Sequence, residues 1–323
     1  MASIDKIKAP IKGELQHFQN FFGEVMHTRV PLLTLITKYV VKNKGKQMRP
    51  LFVFLSARLL GEATESTYRA AALIELLHTA TLVHDDVVDE ANLRRNVFTI
   101  NALWKNKVAV LVGDFLLSKG MLLALENKEY RLLEIVSRAT KQMSEGELLQ
   151  IEKARRMDIN EEVYFDIIRQ KTATLIGAAT ACGAASAGAS PQLVDEFWKM
   201  GENIGIAFQI KDDLLDYGSA DTGKANGNDL KEKKMTLPLI YMLRNLSKNE
   251  RQKIILKIKY RSGNAAVRKD IIERVRKSGG IDYSKEKMKE YLQKALDNLN
   301  AFPDGEIKTA LGELIHYSIN RKK

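Results

Sequence analysis

The stretch LIELLHTATLVHDDVVD, residues 73–89, passes from a mostly apolar segment into an acidic cluster without losing its helical spacing. Its apolar residues recur at intervals of three and four, which is typical of a helix with one buried side. Residues four apart share a helix face, so Asp85 and Asp89 project together, and Asp86 lies about 100° further round. The stretch therefore predicts a buried helix that ends in three carboxylates.

A second cluster with the same DDxxD spacing lies in GIAFQIKDDLLDY, residues 205–217. Asp212 and Asp216 are four residues apart with Asp213 beside them, and Gln209 precedes Asp213 by one helical turn. We expect both clusters to face one space, where each like-charge pair at about 4 Å costs roughly 4 kcal/mol at an effective dielectric of about 20. Such a group needs cations. Oxygen ligands without nearby cysteine or an HExxH motif favour Mg²⁺ bound together with phosphate.

Basic residues accompany the two acidic clusters. GKQMRP, residues 45–50, places Lys46 and Arg49 at the start of an apolar helix, where cations are unfavourable unless an anion binds there. The GxxxxGK[ST] phosphate loop is missing from the chain. RQKTATL, residues 169–175, places a Lys-Thr pair at the start of a helix of small residues. The remaining basic candidates lie near the clusters and are His78, Arg94, Arg95, Lys171, Lys224 and Lys234.

The pattern of the whole chain indicates one all-α domain covering residues 1–323. Alternating β patterns are almost absent, no Pro/Gly/Ser-rich linker is visible, and no repeat of 20–50 residues occurs. The segments with helical spacing are 32–40, 73–84, 108–125, 132–151, 161–168, 193–217, 237–246 and 284–299. We therefore expect a helical bundle whose interior lies between the two acidic helices.

Cellular location is predicted from cysteine usage and hydropathy. Cys182 is the single cysteine, which fits a reducing compartment. The first sixteen residues have no continuous apolar stretch, so we expect no secretory signal and a cytoplasmic protein. No transmembrane span is expected either, since the nearest candidate, 173–190, consists mainly of small residues. It fits better as a buried helix that lets neighbouring backbones approach closely.

The net charge of +11 is concentrated in one region. Residues 251–277 contain ten Lys/Arg and two acids. The first interpretation is a solvated helical surface, the second a peripheral contact with anionic lipid, and the third nucleic acid. Nucleic-acid binding is the weakest of the three, because Tyr260 is the one aromatic residue in the segment.

Taken in order, these motifs resemble the trans-isoprenyl diphosphate, or polyprenyl, synthases. The resemblance is strong over roughly residues 40–240, and it implies an all-α fold of about a dozen helices around a deep central cavity, usually in a homodimer. The segments that carry it are GKQMRP (45–50), HTATLVHDDVVDEANLRRN (78–96), VGDFLLSKG (112–120), MSEGELLQ (143–150), KTATL (171–175), FQIKDDLLDY (208–217) and GKANGNDLKEKKMTLP (223–238).

The resemblance also implies a role for each candidate residue. Three Mg²⁺ ions would be held by Asp85, Asp89, Asp212, Asp213 and Asp216, with Asp86 in support. The allylic diphosphate, geranyl or farnesyl diphosphate as primer, would be bound by Arg94, Lys171, Lys224 and Lys234. Isopentenyl diphosphate would be bound by Lys46, Arg49, His78 and Arg95. Thr172 and Gln209 match positions beside the developing allylic cation.

Four positions depart from the family's pattern. The family commonly has GGKRLRP, where this chain has Lys44 in place of the first Gly and Gln47-Met48 in place of Arg-Leu. Lys233 occupies the place of the Gly in GKxTLP. The charged ligand positions are all filled.

Product length is predicted from the residues just before the first cluster. Ala80 and Thr81 are small where short-chain members of the family carry aromatic residues, so the cavity can continue along the helix. The candidates for its far wall are Gly113, Leu116, Leu117 and Gly120. We expect an all-trans product longer than C20, in the range C30 to C45, such as octaprenyl diphosphate. A short-chain farnesyl or geranylgeranyl diphosphate synthase is the alternative.

Other classes fit the residues less well. A class I terpene cyclase needs one diphosphate, so the second basic set argues against it. A non-catalytic subunit of a two-component synthase would have lost acids from one cluster, and both are intact here. An HD-type metal phosphohydrolase needs further histidines, and His84 fits better as a packed helix residue.

Overall fold

The computed structural model describes residues 4–43, 45, 47–94, 96–218 and 227–320. Within these ranges the chain forms sixteen α-helical segments, two of which, with five and four residues, are single turns. The all-α prediction is therefore confirmed. The helices are α1 Ile4–Lys8, α2 Lys12–Val25, α3 Pro31–Lys42, α4 Met48–Leu60, α5 Glu65–Val88, α6 Ile100–Glu126, α7 Tyr130–Arg156, α8 Glu161–Ile168, α9 Thr174–Ser186, α10 Pro191–Leu215, α11 Asn228–Lys231, α12 Leu237–Arg244, α13 Lys248–Arg261, α14 Ala265–Lys277, α15 Gly280–Asp297 and α16 Glu306–Asn320.

Short irregular elements lie next to the predicted site residues. A hairpin of two antiparallel two-residue strands, β1 Leu93–Arg94 and β2 Val97–Phe98, follows α5. A π-helical turn, Arg169–Ala173, joins α8 to α9. Such turns occur frequently at functional sites, because they displace side chains from the regular helical positions.

The chain forms two compact units. Unit 1 comprises Met1–Thr140, Leu175–Gly201 and Leu299–Leu314, and contains the first acidic cluster. Unit 2 comprises Lys141–Thr174, Glu202–Asn298 and Ile315–Lys323, and contains the second. The single domain expected from the sequence stays a prediction, as does the shared space between the clusters.

In unit 1, α5 packs along α6 through small residues. A methyl group placed on Gly113 would lie 2.1 Å from Nε2 of His84, and one placed on Gly120 would lie 3.5 Å from a Leu73 methyl. Gly113 therefore leaves the space that the His84 ring fills. This contact agrees with the prediction that His84 is a packed helix residue.

The small-residue helix predicted at 173–190 is α9, and it is buried as expected. Ala178, Ala179 and Ala181 have no exposed surface. A methyl group on Gly183 would lie 2.4 Å from the carbonyl oxygen of Val53, so the backbones of α9 and α4 touch there. Small side chains are required at this contact because a larger one would separate the helices.

Helix α6 differs from its prediction. The sequence placed its start at residue 108, whereas the structure begins it at Ile100, with a non-helical residue, Lys105 (φ 73°), near the start. By length and composition alone α6 is apolar enough to cross a membrane, so the expectation that the chain has no transmembrane span stays a prediction. Several of its large side chains are exposed: Leu103, Val110, Leu111, Met121, Leu122 and Leu125.

Unit 2 has its own apolar core, formed mainly by α8, α10, α12, α13 and α14. Its fully buried members include Ile210, Leu237, Ile258, Ile271 and Val275. Tyr164 and Tyr217 are also part of this core, so two hydroxyl groups are enclosed among apolar side chains. Each needs a hydrogen-bond partner inside the core.

Candidate active site

The first acidic cluster lies at the C-terminal end of α5, as predicted. Asp85 is half-buried, Asp86 is 7% exposed, and Asp89 is an exposed residue at the helix C-cap. The C-terminus of a helix carries partial negative charge, so three carboxylates there are unfavourable without a cation. This placement supports binding of a metal ion.

Asp86 is held by the hairpin that follows the helix. Arg94 donates to Oδ1 of Asp86 from both Nε, at 2.9 Å, and Nη2, at 2.8 Å. The amide of Asn101 donates to the Asp86 backbone carbonyl at 3.2 Å. Asp86 therefore fixes the hairpin to the helix, which leaves Asp85 and Asp89 as the cluster's candidate metal ligands.

The second cluster lies at the C-terminal end of α10, and Asp213 is its most buried member. Asp213 is 6% exposed. It accepts a hydrogen bond from Nε2 of Gln209 at 2.8 Å and one from the hydroxyl of Tyr164 at 2.7 Å, on different carboxylate oxygens. Burial raises the pKa of Asp213 to about 7 against the opposing effect of these two hydrogen bonds, and the negative charges of Asp229 and Asp212 raise it further.

Gln209 connects Asp213 to Thr172. Because the Gln209 amide nitrogen faces Asp213, its oxygen faces the other way and accepts from the Thr172 hydroxyl at 3.0 Å. The Thr172 proton is thereby engaged, so the hydroxyl can turn only its lone pairs towards a cation. Tyr164, Asp213, Gln209 and Thr172 form one hydrogen-bonded chain, which we call the Tyr164 chain.

Tyr164 was not among the residues predicted from the sequence. It lies within EEVYFDII, where its position in an apolar helix indicates a core aromatic residue. Burial raises its pKa, and the negative charge of Asp213 adds to the effect. The sequence signal that could have found it is its phenol group, since a buried hydroxyl needs a polar partner.

Asp216 lies just beyond α10, and it caps another helix. Its two oxygens accept from the backbone N–H groups of Asn228, at 3.1 Å, and Asp229, at 3.0 Å, at the start of α11. Asp212 is half-buried, and its charge raises the pKa of both Asp213 and Asp229. Asp212 is therefore the member of this cluster best suited to a metal ion.

The loop after α11 brings an acid and a base together. Burial raises the pKa of Asp229 to about 6, although the neighbouring Lys234 ammonium lowers it. Nζ of Lys234 lies 3.8 Å from Asp229 and 2.6 Å from Glu232. Lys233, before it, has a left-handed backbone with φ 60°, which explains why glycine is common at this position in the family.

The π-helical turn that carries Lys171 and Thr172 is fixed by α7. Nζ of Lys171 lies 2.5 Å from Glu147. A methyl group on Gly146 would lie 2.7 Å from the Lys171 backbone nitrogen, so only glycine allows this approach. On the other side, the Thr174 hydroxyl donates to Gln142 at 2.5 Å. These contacts fix the turn against α7 and so hold Lys171 and Thr172 in place.

The predicted isopentenyl diphosphate ligands are described only in part. Lys46 and Arg95 lie outside the described residues, as does Lys224 of the allylic set. Arg49 is in the first turn of α4, and His78 is half-buried on α5, two turns before Asp85. Gln47, left-handed at φ 51°, has a buried side-chain nitrogen without a hydrogen-bond partner among the described residues. A donor of this kind at a helix start favours an anion.

In the part of the chain that the structure describes, no three acidic, histidine or cysteine side chains converge on a point that could hold a metal by themselves. Mg²⁺ is usually bound by one or two carboxylates and completes its shell with water and phosphate. The carboxylates present fit an ion that arrives with a diphosphate.

Comparison with known proteins identifies relatives over nearly the whole chain. The family model described as Polyprenyl synthetase matches residues 30–275. An all-trans-nonaprenyl-diphosphate synthase (geranyl-diphosphate specific) of Rhodobacter capsulatus is 38% identical over 98% of this chain and 97% of its own. An octaprenyl diphosphate synthase of Escherichia coli is 35% identical over 93% of each.

Solved structures show the same fold. A decaprenyl diphosphate synthase from Rhodobacter capsulatus, 32% identical, superposes with a TM-score of 0.91 over 98% of both chains. A polyprenyl synthase from Caulobacter crescentus, complexed with calcium and isoprenyl diphosphate, is 33% identical, with a TM-score of 0.89 over 99% of this chain and 98% of that one. A geranylgeranyl pyrophosphate synthase from Bacteroides thetaiotaomicron is 38% identical, with a TM-score of 0.83 over 98% and 99%.

Proposed function

The chain belongs to the polyprenyl synthetase family, and from that premise we propose that it condenses an allylic diphosphate with isopentenyl diphosphate repeatedly, head to tail. The product is an all-trans polyprenyl diphosphate longer than C20, with geranyl or farnesyl diphosphate as primer. The observation that carries the proposal is the pair of DDxxD clusters, each at a helix C-terminus, with the Tyr164 chain attached to the second.

We assign Mg²⁺ to Asp85 and Asp89 in the first cluster and to Asp212 in the second. When bound, Mg²⁺ neutralises the charge that develops on the departing diphosphate. The Caulobacter relative that holds calcium and isoprenyl diphosphate supports a divalent cation and this class of ligand. Three ions per active site is part of the proposal.

The protein's own groups have three tasks in this reaction. Arg94, Lys171, Lys224 and Lys234 bind and stabilise the diphosphate as the allylic C–O bond breaks and the electron pair leaves with oxygen. The Thr172 oxygen and the Lys171–Thr172 turn stabilise the allylic cation. The isopentenyl double bond, positioned by Lys46, Arg49, His78 and Arg95, then attacks this cation, and a proton is lost to the released diphosphate.

Asp213 and Asp216 have a different role from that of metal ligands in this scheme. Both oxygens of each accept hydrogen bonds from protein donors. Asp213 orients Gln209, and Asp216 holds α11 close to the end of α10. We therefore assign both as positioning residues, a narrower role than the sequence suggested.

The two predicted chain-length residues, Ala80 and Thr81, lie on different faces of α5. Ala80 lies four residues before His84 and so shares the face that packs on α6, where it is completely buried. Thr81 lies four residues before Asp85, shares the acidic face, and is half-buried. Thr81 is thus the better candidate to meet a growing prenyl tail.

Product length is supported by relatives of two kinds. The nonaprenyl and octaprenyl synthases favour a chain longer than C20. The short-chain alternative stays open, because the geranylgeranyl synthase of known structure is as similar to this chain, at 38% identity, as the nonaprenyl enzyme is. A terpene cyclase would release hydrocarbon from the allylic diphosphate alone, so incubation with Mg²⁺ and no isopentenyl diphosphate distinguishes it. We expect no hydrocarbon in that reaction.

A homodimer formed through α6 is part of the proposal. The exposed side chains Val110, Leu111, Met121, Leu122 and Leu125 lie on one side of the helix, in two groups with the exposed Asp114 and Ser118 between them. An exposed apolar stripe of this length is unfavourable in water and is typical of an interface. A second copy of the chain would cover it. A cytoplasmic location stays a prediction from the sequence.

A further inference from the structure

Helix α13 has an outward face that neither the core of unit 2 nor the proposed reaction uses. Ile254 and Ile258 point inward and are buried. On the opposite side, Leu256 is 48% exposed and Tyr260 is 73% exposed. They lie four residues apart and are neighbours on one helix face. Two large apolar side chains therefore face the solvent together.

Lysine residues flank this apolar pair. Lys253 and Lys259 are exposed and lie within one turn of it on the same side of α13. Nζ of Lys259 lies 5.7 Å from the centre of the Tyr260 ring. The single acid in the helix, Glu250, is in the first turn and is held by the N-cap serine. We call Lys253, Leu256, Lys259 and Tyr260 the α13 face.

The surrounding surface adds to the positive charge. Lys257 and Arg274 both bind Asp270, at 3.0 Å each, so one acid is shared between two cations. Arg268 donates to two backbone carbonyls, which carry no formal negative charge. With ten Lys/Arg against two acids over residues 251–277, this surface is complementary to an anionic partner.

We propose that the α13 face docks on an anionic lipid bilayer. Tyr and Leu side chains insert at headgroup level, while the long lysine stems keep their ammonium groups among the phosphates. Nucleic acid fits this face less well, because stacking requires a series of aromatic residues and Tyr260 is the one in 251–277. The purpose of this docking rests on the proposed function. A polyprenyl tail longer than C20 is apolar, and an enzyme docked on a bilayer releases it directly into lipid.

Vesicle sedimentation tests the proposal on the full chain without substrates. The vesicles are phosphatidylcholine alone, or phosphatidylcholine with about one quarter phosphatidylserine. We expect the protein to sediment with the anionic vesicles and not with the phosphatidylcholine vesicles. The bound fraction should fall as salt is added. Lys253→Glu with Lys259→Glu should lower the bound-to-free ratio about tenfold or more. Leu256→Ser with Tyr260→Ser should lower it severalfold without changing net charge.

The matched control is Lys12→Glu with Lys289→Glu, which changes net charge equally at two exposed lysines outside 251–277. It should retain most of the binding. The proposal is overturned if the unaltered protein ignores anionic vesicles, or if this control loses as much binding as the α13 variant. Retention of duplex DNA that is insensitive to the Leu256 and Tyr260 changes, with no vesicle binding, would favour nucleic acid instead.

Activity separates this proposal from the one it rests on. Condensation measured in detergent without vesicles should be unchanged in both α13 variants, which also shows that they fold. If the unaltered protein binds anionic vesicles but performs no condensation, the proposed function fails and the docking surface stands. If it condenses but never binds vesicles, the docking surface fails alone.

Discussion

Tyr164 of α8 donates its hydroxyl proton to Asp213 of α10, with 2.7 Å between the two oxygens, and this bond sets the direction of the whole Tyr164 chain. An ionised carboxylate only accepts hydrogen bonds, so Asp213 takes the Gln209 amide nitrogen and the Gln209 oxygen is directed to Thr172. The hydrogen bond from Tyr164 lowers the pKa of Asp213 and so favours this ionised form. A residue buried among apolar side chains thus determines how a hydroxyl is presented to substrate.

Tyr164→Phe tests that role. Phenylalanine fills the same space, so the core is kept, but Asp213 loses one donor and Gln209 can reorient. We expect kcat to fall about tenfold, which corresponds to roughly 1.4 kcal/mol, with KM for both diphosphates little changed. Steady-state kinetics measures both. The matched control is Tyr283→Phe, which removes a phenol–carboxylate bond to Glu161 and should leave kcat unaltered. Equal losses in the two variants would contradict the role.

The pH dependence of stability follows from Asp213. Its folded-state pKa of about 7 lies above the ordinary aspartate pKa of 3.8, so the folded protein binds more protons than the unfolded chain between these pH values. The stability that this group contributes is fully present below about pH 4 and is lost as pH rises through about 7. Without divalent cations, the free energy of unfolding of the unaltered protein should therefore fall with rising pH relative to Asp213→Asn. Urea titrations at several pH values measure this, and parallel curves for the two proteins would contradict it.

Chain length should respond to Thr81 more cleanly than to Ala80. Thr81→Phe places a ring on the acidic face of α5, so we expect shorter products with activity retained. Ala80→Phe should also shorten the product, but because Ala80 is buried on the face of α5 that packs on α6, this change should lower stability as well. Chromatography of the dephosphorylated products, alongside thermal unfolding, measures both effects. Unchanged product length in Thr81→Phe would show that the wall lies elsewhere.

The apolar stripe of α6 predicts a dimer. Leu111→Glu with Leu122→Glu should give monomers, because each buried leucine contributes about 1.5–3 kcal/mol and a carboxylate in its place is costly to bury. Sedimentation equilibrium measures the mass. Leu256→Glu, a change at an exposed leucine on α13, serves as the control and should leave the mass unchanged. If the unaltered protein is itself a monomer, the proposed interface is wrong.

Lys233 offers a test of backbone strain. Its left-handed conformation at φ 60° is unfavourable for a residue with a side chain, and glycine adopts it freely. Lys233→Gly should raise the free energy of unfolding by up to about 1 kcal/mol. Lys231→Gly, within α11, should lower it instead. Denaturant unfolding of both variants decides, and a loss of stability in Lys233→Gly would contradict the explanation.

Local patterns predicted both acidic clusters and the helices that carry them, because helical spacing and DDxxD spacing are properties of neighbouring residues. Helices α2 and α16 were not among the predicted segments. The buried helix α9 was likewise readable from its small side chains. The Tyr164–Asp213 bond was not, since it joins residues 49 positions apart that only the tertiary fold brings together. The hydrogen bond from Arg94 to Asp86 was also not predictable, because the hairpin that makes it possible forms only in the fold. The start of α6 was missed for another reason: the non-helical backbone at Lys105 interrupts the helical spacing there.

The most direct test of repeated condensation is the size of the product. Purified protein is incubated with Mg²⁺, farnesyl diphosphate and labelled isopentenyl diphosphate, and the dephosphorylated products are separated by length. We predict labelled all-trans chains longer than C20, centred between C30 and C45, and none when Asp85 or Asp212 is replaced by Asn. Products that stop at C20, or labelled chains that persist in both Asn variants, would contradict this account.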